Sequence, residues 1–217
     1  MITFKGRQIP ETLAEIVDPK HTALIIHELL NDFCAAGGTL DKWGRRIDAT
    51  KVLPPTVKLL DAARKKNVKV MYVRYTNYAD YSNVNDPLVL QRWETIKDPS
   101  KKGYPVPGTW GWENLSEVAP IEDEAIVPKL RVDCFEQTNL DMLLRASGIR
   151  TFIIVGIGSE VGIVPTASTG MSLGYFVVAP VDCVGPTNPA KGELANKFIS
   201  RYAWMNPSSE ILKAWGV

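Results

Sequence analysis

The sequence is poor in the residues that build metal centres and disulfide frameworks. It has two histidines, His21 and His27, and three cysteines, Cys34, Cys134 and Cys183. Cysteines this far apart match neither a disulfide framework nor a zinc motif, and two histidines in one short segment argue against a His-rich metal site. The scarcity of both residue types predicts a cytoplasmic protein that holds no metal ion.

Long apolar runs and a strong charge imbalance are also absent. Every apolar stretch is far shorter than the ~20 residues that a helix needs to cross a bilayer. Residues 1–19 lack the apolar core and the cleavage site of a secretory signal. The net charge is +1, whereas a nucleic-acid binder of the usual kind carries a broad basic surface. We therefore expect neither a membrane nor a nucleic acid as a partner.

The sequence does contain short apolar segments that alternate with amphipathic ones. The short segments predict strands over 22–30, 68–75, 125–129, 151–156 and 175–180. The amphipathic segments predict helices over 54–67, 138–148 (with Thr138 as its N-cap) and 189–203, and another helix follows the fourth strand. Strands alternating with helices form a parallel sheet covered on both faces. The predicted fold class is α/β: a three-layer α-β-α, Rossmann-like fold with a mostly parallel sheet of five or six strands.

No repeat or change in composition divides the chain, and we expect a single domain over 1–217. Residues 1–20 form an N-terminal extension of this domain, and residues 76–122 form a long excursion punctuated by proline and glycine. The excursion is rich in aromatic residues, namely Tyr78, Tyr81, Trp93, Tyr104, Trp110 and Trp112. Long segments of this kind inside a compact domain are typically functional. We expect the excursion to border the active site or a subunit interface.

Three sequence features follow the carboxyl ends of predicted strands, where α/β sheets bind their ligands. They are Glu28, Lys129 and a turn with glycines at 156, 158 and 162. A carboxylate and a lysine placed there can be a structural ion pair, or an acid–base group with its electrostatic partner. Because Glu28 follows a buried strand, we expect burial to raise the pKa of its carboxyl.

The glycine turn, in "IIVGIGSEVGIVP", can serve in three ways. As a dinucleotide loop its GxGxxxG spacing is one residue too long, and no acidic residue closes the next strand. As a nucleophile elbow, Ser159 lacks both the GxSxG frame and a downstream histidine. The remaining use is to hold a carboxylate or an oxyanion with backbone N–H groups at the start of a helix.

Taken together, three segments resemble the isochorismatase-like hydrolase superfamily, which includes isochorismatases, nicotinamidases and related amidases. They are "TALIIHELLNDFC", "IVPKLRVDCFEQTNLDMLLRASGIRTFIIVGIGSEVGIVPTA" and "LGYFVVAPVDC", and they lie in the family's order over roughly residues 20–185. The resemblance implies a hydrolase of a small molecule that needs no cofactor. It also implies a homo-oligomer, a dimer or a tetramer.

The resemblance assigns roles to three positions. Members typically place an aspartate after the first strand, a lysine after the third and a nucleophilic cysteine in the turn after the fourth. The matching residues are Glu28, Lys129 and Gly162, and glycine has no side chain that could form the thioester. Isochorismatases also have glycine there and cleave a vinyl ether, so vinyl ether hydrolysis is the expected reaction. In that reaction Glu28 would donate the proton, and Lys129 would bind a substrate carboxylate or steady the developing charge. More generally, the resemblance implies that Glu28 and Lys129 act either by direct activation of water or by proton transfer, with Glu28 as acid or base.

Further residues are implied in substrate binding or in shaping the site. We expect Phe33, Trp110 and Phe135 to line the pocket, together with the turn residues Gly158, Ser159 and Gly162. Arg74, Asn77 and Arg92 can either bind an anionic or amide-bearing substrate or be solvated. The family's non-proline cis peptide would fall at Ile157–Gly158. His27 should point to the opposite face of its strand from Glu28, as a satisfied core histidine.

Two other functions stay open on the sequence. The chain can be a non-catalytic descendant that binds a small ligand, since two of the three catalytic positions are altered. It can also be an amide hydrolase with a non-standard nucleophile. A retained charge at both Glu28 and Lys129 favours a working enzyme, because a decayed site would have no reason to keep two charges buried.

Overall fold

The centre of the molecule is a six-stranded sheet in which all neighbouring strands are parallel. The computed structural model describes residues 1–217. In chain order the strands are β1 (Ile2–Phe4), β2 (Arg7–Ile9), β3 (Thr22–His27), β4 (Lys69–Tyr75), β5 (Ala125–Lys129), β6 (Thr151–Ile157), β7 (Phe176–Val178) and β8 (Val184–Gly185). The strand order is β5-β4-β3-β6-β7, and β8 pairs with the end of β6. Strands β1 and β2 form a separate antiparallel hairpin.

Helices cover both faces of this sheet. They are α1 (Leu13–Ile16), α2 (Asn31–Cys34), α3 (Thr39–Lys42), α4 (Leu53–Lys65), α5 (Asp86–Gln91), α6 (Trp93–Ile96), α7 (Leu140–Ala146), α8 (Val164–Ser172), α9 (Gly192–Ile199) and α10 (Ser208–Ala214). Alternate residues of β3 face opposite sides: Leu24 and Ile26 join the core beneath α4 and α10, and Ile25 joins the core beneath α7, α8 and α9. The predicted three-layer α/β fold with a mostly parallel sheet is confirmed.

The element boundaries differ from the predicted ones at several ends. Strand β3 stops at His27 because Glu28 has φ +55°, outside the β region. Helix α7 begins at Leu140 with Asn139 as its N-cap, and Thr138 accepts the N–H of Leu140 through its hydroxyl at 3.2 Å. The predicted strand 175–180 and helix 189–203 are shortened to β7 and α9. The hairpin β1–β2 and helix α10 have no counterpart in the prediction.

The excursion over residues 76–122 folds back over the carboxyl ends of the strands. Besides α5 and α6 it is mostly irregular, and side-chain hydrogen bonds tie it to the sheet. Trp112 donates its indole N–H to the Thr76 hydroxyl at 2.9 Å, and the Arg74 guanidinium lies 4.5 Å from the Trp112 ring centroid. Arg74 also donates to Asn114 at 2.7 Å. The excursion is thereby held as a wall above the sheet.

None of the helices combines the length and the apolar character required to cross a bilayer.

Candidate active site

Parallel pairing brings the ends of three strands to one edge of the sheet. Glu28 follows β3 directly, Lys129 is the last residue of β5, and the glycine turn follows β6. Strand β4 lies between β3 and β5, with Tyr75 paired to Lys129. The Lys129 ammonium reaches across it, so that Nζ lies 2.7 Å from Oε1 of Glu28. The structure therefore joins the two charged residues that the sequence singled out.

Glu28 lies in a strained position. Its left-handed backbone (φ +55°) is uncommon for a residue other than glycine, and its side chain is only 12% exposed. The contact to Lys129 is a close ion pair. Burial is the largest single influence on the Glu28 carboxyl and raises its pKa, but Lys129, His27 and Arg92 together outweigh it and lower this pKa below its ordinary value. The expectation of a raised pKa for Glu28 was therefore wrong, because burial is more than offset by the charged groups around this carboxyl.

Lys129 is held as firmly as its partner. Its side chain is 1% exposed, and Nζ donates to the carbonyl of Val132 at 2.7 Å. Burial alone would lower the pKa of the ammonium, but the Glu28 carboxylate raises it above the ordinary lysine value. Both members of the pair are consequently charged at neutral pH.

His27 does not lie on the far side of the strand from Glu28. Because the left-handed Glu28 ends the pleat, the two neighbouring side chains approach each other, and Nε2 of His27 lies 3.7 Å from Oε1 of Glu28. Nδ1 lies 2.7 Å from the carbonyl oxygen of Ile157 and must donate to it, since a carbonyl only accepts. Nε2 is fully buried and has no partner. Burial, reinforced by Lys129, lowers the pKa of His27 to about 4, so the ring is neutral.

Gly162 lies against this imidazole. A Cβ at position 162 would lie 2.6 Å from Cε1 and Nε2 of His27, and 3.1 Å from Nζ of Lys129. The histidine thus fills the space that any side chain at 162 would need. The position matched to the family's cysteine is closed to a thiol unless His27 moves.

None of the chain's cysteines takes the missing thiol's place. Cys134 and Cys183 are fully buried, and burial raises their pKa values to about 11 and about 12. Cys34 is half-buried beside a neighbouring depression, and burial raises its pKa to about 12. A nucleophilic thiolate needs a lowered pKa and access to the site.

Several backbone N–H groups of the turn after β6 are engaged in hydrogen bonds within the turn itself. Gly158 is left-handed (φ +82°), and its carbonyl accepts the N–H groups of Val161, Gly162 and Ile163 at 3.0, 2.8 and 3.2 Å. Those three groups are not free to hold an anion. Ser159 is fully buried with an unpartnered hydroxyl. The Ile157–Gly158 bond is trans, so the predicted non-proline cis peptide is not present there; the cis bond of the chain is Tyr104–Pro105.

A cavity of about 360 Å³ opens above the ion pair. Its lining combines Glu28 and Lys129 with Phe33, Tyr75, Tyr81, Tyr104, Arg45, Arg92 and Thr187, among others. Phe33 therefore lies where a pocket residue should. Trp110 is 53% exposed and borders a different depression, and Phe135 stacks on Tyr175 with ring centroids 6.0 Å apart. Neither of these two lines the cavity.

Two arginines of the cavity have no carboxylate partner. Arg92 donates to the hydroxyl of Tyr75 at 3.0 Å, and Arg45 lies 5.3 Å from the ring centroid of Trp43. Since Lys129 is neutralised by Glu28, the two guanidiniums give the cavity a net positive charge. Arg92 was among the sequence candidates, whereas nothing in the sequence pointed to Arg45.

No three His, Cys, Asp or Glu side chains converge as metal ligands would.

The chain matches the model of the isochorismatase domain over residues 22–207. It therefore belongs to the isochorismatase family and is an isochorismatase-like hydrolase. The ureidoacrylate amidohydrolase RutB of Agrobacterium fabrum is 30% identical over 197 residues, which cover 87% of this chain and 84% of that protein. RutB of Acinetobacter baylyi is 27% identical over 207 residues, covering 91% and 84% of the two chains.

Solved structures share the fold. A cysteine hydrolase from Pseudomonas syringae pv. phaseolicola superposes with a TM-score of 0.80 at 22% identity, covering 93% of this chain and 95% of that chain. An isochorismatase family protein from Desulfovibrio vulgaris gives a TM-score of 0.75 at 25% identity, covering 90% and 98%.

Proposed function

We propose that the protein hydrolyses a carbon–nitrogen bond of a small anionic molecule, an amide or a ureide, by direct attack of water. The observation that carries this proposal is the buried Glu28–Lys129 pair beside a position, Gly162, that is closed to a nucleophilic side chain. The amidohydrolase names of the relatives support the choice of bond.

The ionised Glu28 suits the role of general base. It removes a proton from water while the water oxygen bonds to the carbonyl carbon, and the π electrons of the carbonyl move to its oxygen. The Lys129 ammonium stabilises the resulting oxyanion. The oxyanion then re-forms the carbonyl, the carbon–nitrogen bond breaks with its electron pair leaving on nitrogen, and Glu28 returns the proton to that nitrogen. All protons are accounted for, and no covalent enzyme intermediate forms.

The charge of the cavity points to an anionic substrate. Arg45 and Arg92 face the space above the reacting pair without carboxylates of their own. A guanidinium binds a carboxylate through paired, charge-assisted hydrogen bonds. A substrate carboxylate held there would leave its other end over Glu28 and Lys129.

Vinyl ether hydrolysis is the second candidate, favoured by glycine at position 162. It needs a protonated carboxyl group to deliver a proton to the enol ether carbon. The lowered pKa of Glu28 works against this reaction, because Lys129 keeps the carboxyl ionised. For this reason we place it after carbon–nitrogen hydrolysis.

The test is turnover of ureidoacrylate, its methyl ester, other small carboxylated amides and isochorismate by wild type and Glu28→Gln. We expect the carboxylated amides or ureides to be hydrolysed by wild type only, with full activity after thiol alkylation. Turnover of isochorismate alone would establish the second candidate. Equal rates in both proteins would refute the role of Glu28, and ligand binding without any turnover would indicate a non-catalytic descendant.

A further inference from the structure

The buried imidazole of His27 has an unused acceptor beside the reacting pair. Its Nδ1–H is committed to the Ile157 carbonyl at 2.7 Å, which leaves Nε2 as an unprotonated lone pair. This nitrogen has no partner and lies 3.7 Å from Oε1 of Glu28. A buried acceptor without a donor costs free energy, so a structure that retains one invites a functional explanation.

The space for this ring is made by Gly162. Any side chain there would meet Cε1 and Nε2 at 2.6 Å, so the histidine and the glycine depend on each other. The ring therefore takes the room next to Glu28 and Lys129 that a side chain at 162 would otherwise fill. It is covered by these residues and does not line the cavity, so it acts through Glu28 and does not touch the substrate.

We propose that His27 is a positioning residue that stabilises the protonated form of Glu28 during the reaction by accepting its O–H at Nε2. This inference deepens the hydrolytic function proposed above and rests on it. In the resting enzyme, Lys129 favours the ionised carboxylate. Once Glu28 has taken a proton from water, the neutral carboxyl no longer pairs with the ammonium. Rotation of the carboxyl then turns its O–H toward Nε2.

The arrangement separates two tasks that oppose each other. Lys129 keeps Glu28 ready to accept a proton, and His27 provides a hydrogen bond that only the protonated form can make. The gap of 3.7 Å is longer than an O–H···N hydrogen bond. Catalytic hydrogen bonds are often long before substrate binds and tighten during the reaction. Charged groups that influence the ring are Glu28 from the end of β3 and Lys129 from β5.

The first test needs no substrate. The chain has only two histidines, so nitrogen NMR of the imidazoles gives two sets of signals, and His21→Gln assigns them. We expect His27 at pH 7 to be neutral with the proton on Nδ1, and its titration midpoint to fall in Glu28→Gln, where the nearby negative charge is lost. A proton on Nε2 or a charged ring at pH 7 would overturn the proposal, as would a midpoint unaffected by Glu28→Gln.

The second test separates the two ring nitrogens. His27→Asn can place an amide N–H where Nδ1–H lies, which keeps the bond to Ile157 and removes the acceptor. His27→Gln can place an amide oxygen near the position of Nε2, which keeps the acceptor. With a hydrolysed substrate of the panel, we expect kcat to fall by about 10²-fold or more in His27→Asn and by less than about 10-fold in His27→Gln.

The pH dependence of kcat/KM distinguishes the proposed role of His27 from a purely structural one, because a purely structural role would not shift it. Without the acceptor, protonated Glu28 is less stable, so the acidic limb of kcat/KM shifts to lower pH in His27→Asn and stays in place in His27→Gln. If kcat fell equally in both variants and the acidic limb of kcat/KM stayed in place in both, the ring would be only structural. If no panel compound is hydrolysed, the proposed function fails while the NMR result still decides the state of His27.

Discussion

The two sides of the cavity are built on different principles. Its floor consists of Glu28 and Lys129 with His27 beneath them. Lys129 and His27 are buried, Glu28 is nearly so, and all three lie at the ends of strands. Its upper wall consists of Arg45, from the loop after α3, and of Arg92, Tyr81 and Tyr104 from the excursion over 76–122. The charges of the floor are removed from water, which costs free energy, and each is stabilised by its partner. Replacing one of them therefore leaves the other buried and unpaired. The wall is partly solvated, and changes there affect mainly the substrate.

The largest effect is expected from a substitution of Lys129 in the floor of the cavity. In Lys129→Met the Glu28 carboxylate loses its buried partner, and we expect the free energy of unfolding to fall by about 3–5 kcal/mol and activity to be lost. Denaturant unfolding and turnover measure both effects. The matched control is Glu28→Gln/Lys129→Met, which removes both charges; it should recover most of the stability and none of the activity. A single variant as stable as wild type would contradict the picture of a strongly coupled floor.

Acid should lower the free energy of unfolding mainly through the groups of the floor, His27 and Glu28. The folded-state pKa of His27, about 4, lies below the ordinary value of 6.5. The unfolded chain therefore binds a proton first, and stability is lost as the pH falls from 6.5 to 4, by about 3 kcal/mol. Glu28, whose pKa is also lowered, adds a loss that is complete only when the pH falls below its folded value. Unfolding curves between pH 7 and 4 measure the sum.

The control for the acid prediction uses the two histidines. His27→Gln should remove most of the loss between pH 6.5 and 5, and His21→Gln should leave it. An unchanged pH dependence in His27→Gln would show that the imidazole contributes no such linkage.

The wall can be weakened without disturbing the floor. Arg45→Gln and Arg92→Gln should each raise KM for a carboxylated substrate by about 10- to 100-fold, since hydrogen bonds to charged groups contribute roughly 1.5–3 kcal/mol. They should change kcat much less. The methyl ester of the substrate should show no such rise in KM. Arg201→Gln, at an exposed position, serves as the control variant. A fall in kcat with KM unchanged would place these arginines in the reaction itself.

The smallest expected effect concerns the contact between Gly162 and His27. Gly162→Ala should cost about 1–3 kcal/mol of stability, because the new methyl group overpacks the imidazole. In a His27→Ala background the same substitution should cost much less, since the ring is gone. A double-mutant cycle by denaturant unfolding measures this coupling. Equal costs in both backgrounds would show that the two residues do not share the space.

The sequence predicted the scaffold well because the signals for it are local. The apolar segments of β3, β4 and β6 are buried along their whole length except for the first residue of β4, as strands covered on both faces must be. The carboxyl ends of β3, β5 and β6 carry Glu28, Lys129 and the glycine turn, and parallel pairing places them together. The homo-oligomer and the cytoplasmic location remain predictions.

The errors lie where one residue's neighbours come from distant segments. Alternation along β3 predicts that His27 and Glu28 point apart, but the left-handed backbone of Glu28 ends the alternation. Burial of Glu28 suggests a raised pKa, but surrounding groups, with Lys129 from the distant strand β5 first among them, together reverse the direction. Likewise, Phe135 was expected in the pocket because it is aromatic, but its ring stacks on Tyr175 away from the cavity.

The sequence by itself therefore determined the parallel sheet, the edge at which the site lies, and the absence of a side chain at Gly162. Strand periodicity and glycine chemistry are properties of short segments and need no knowledge of the rest of the chain. Only the tertiary structure decided the charge state of Glu28, the open nitrogen of His27 and the two arginines above them. These depend on distances between groups on separate elements, and electrostatic interactions in a buried site change strongly over a few ångströms.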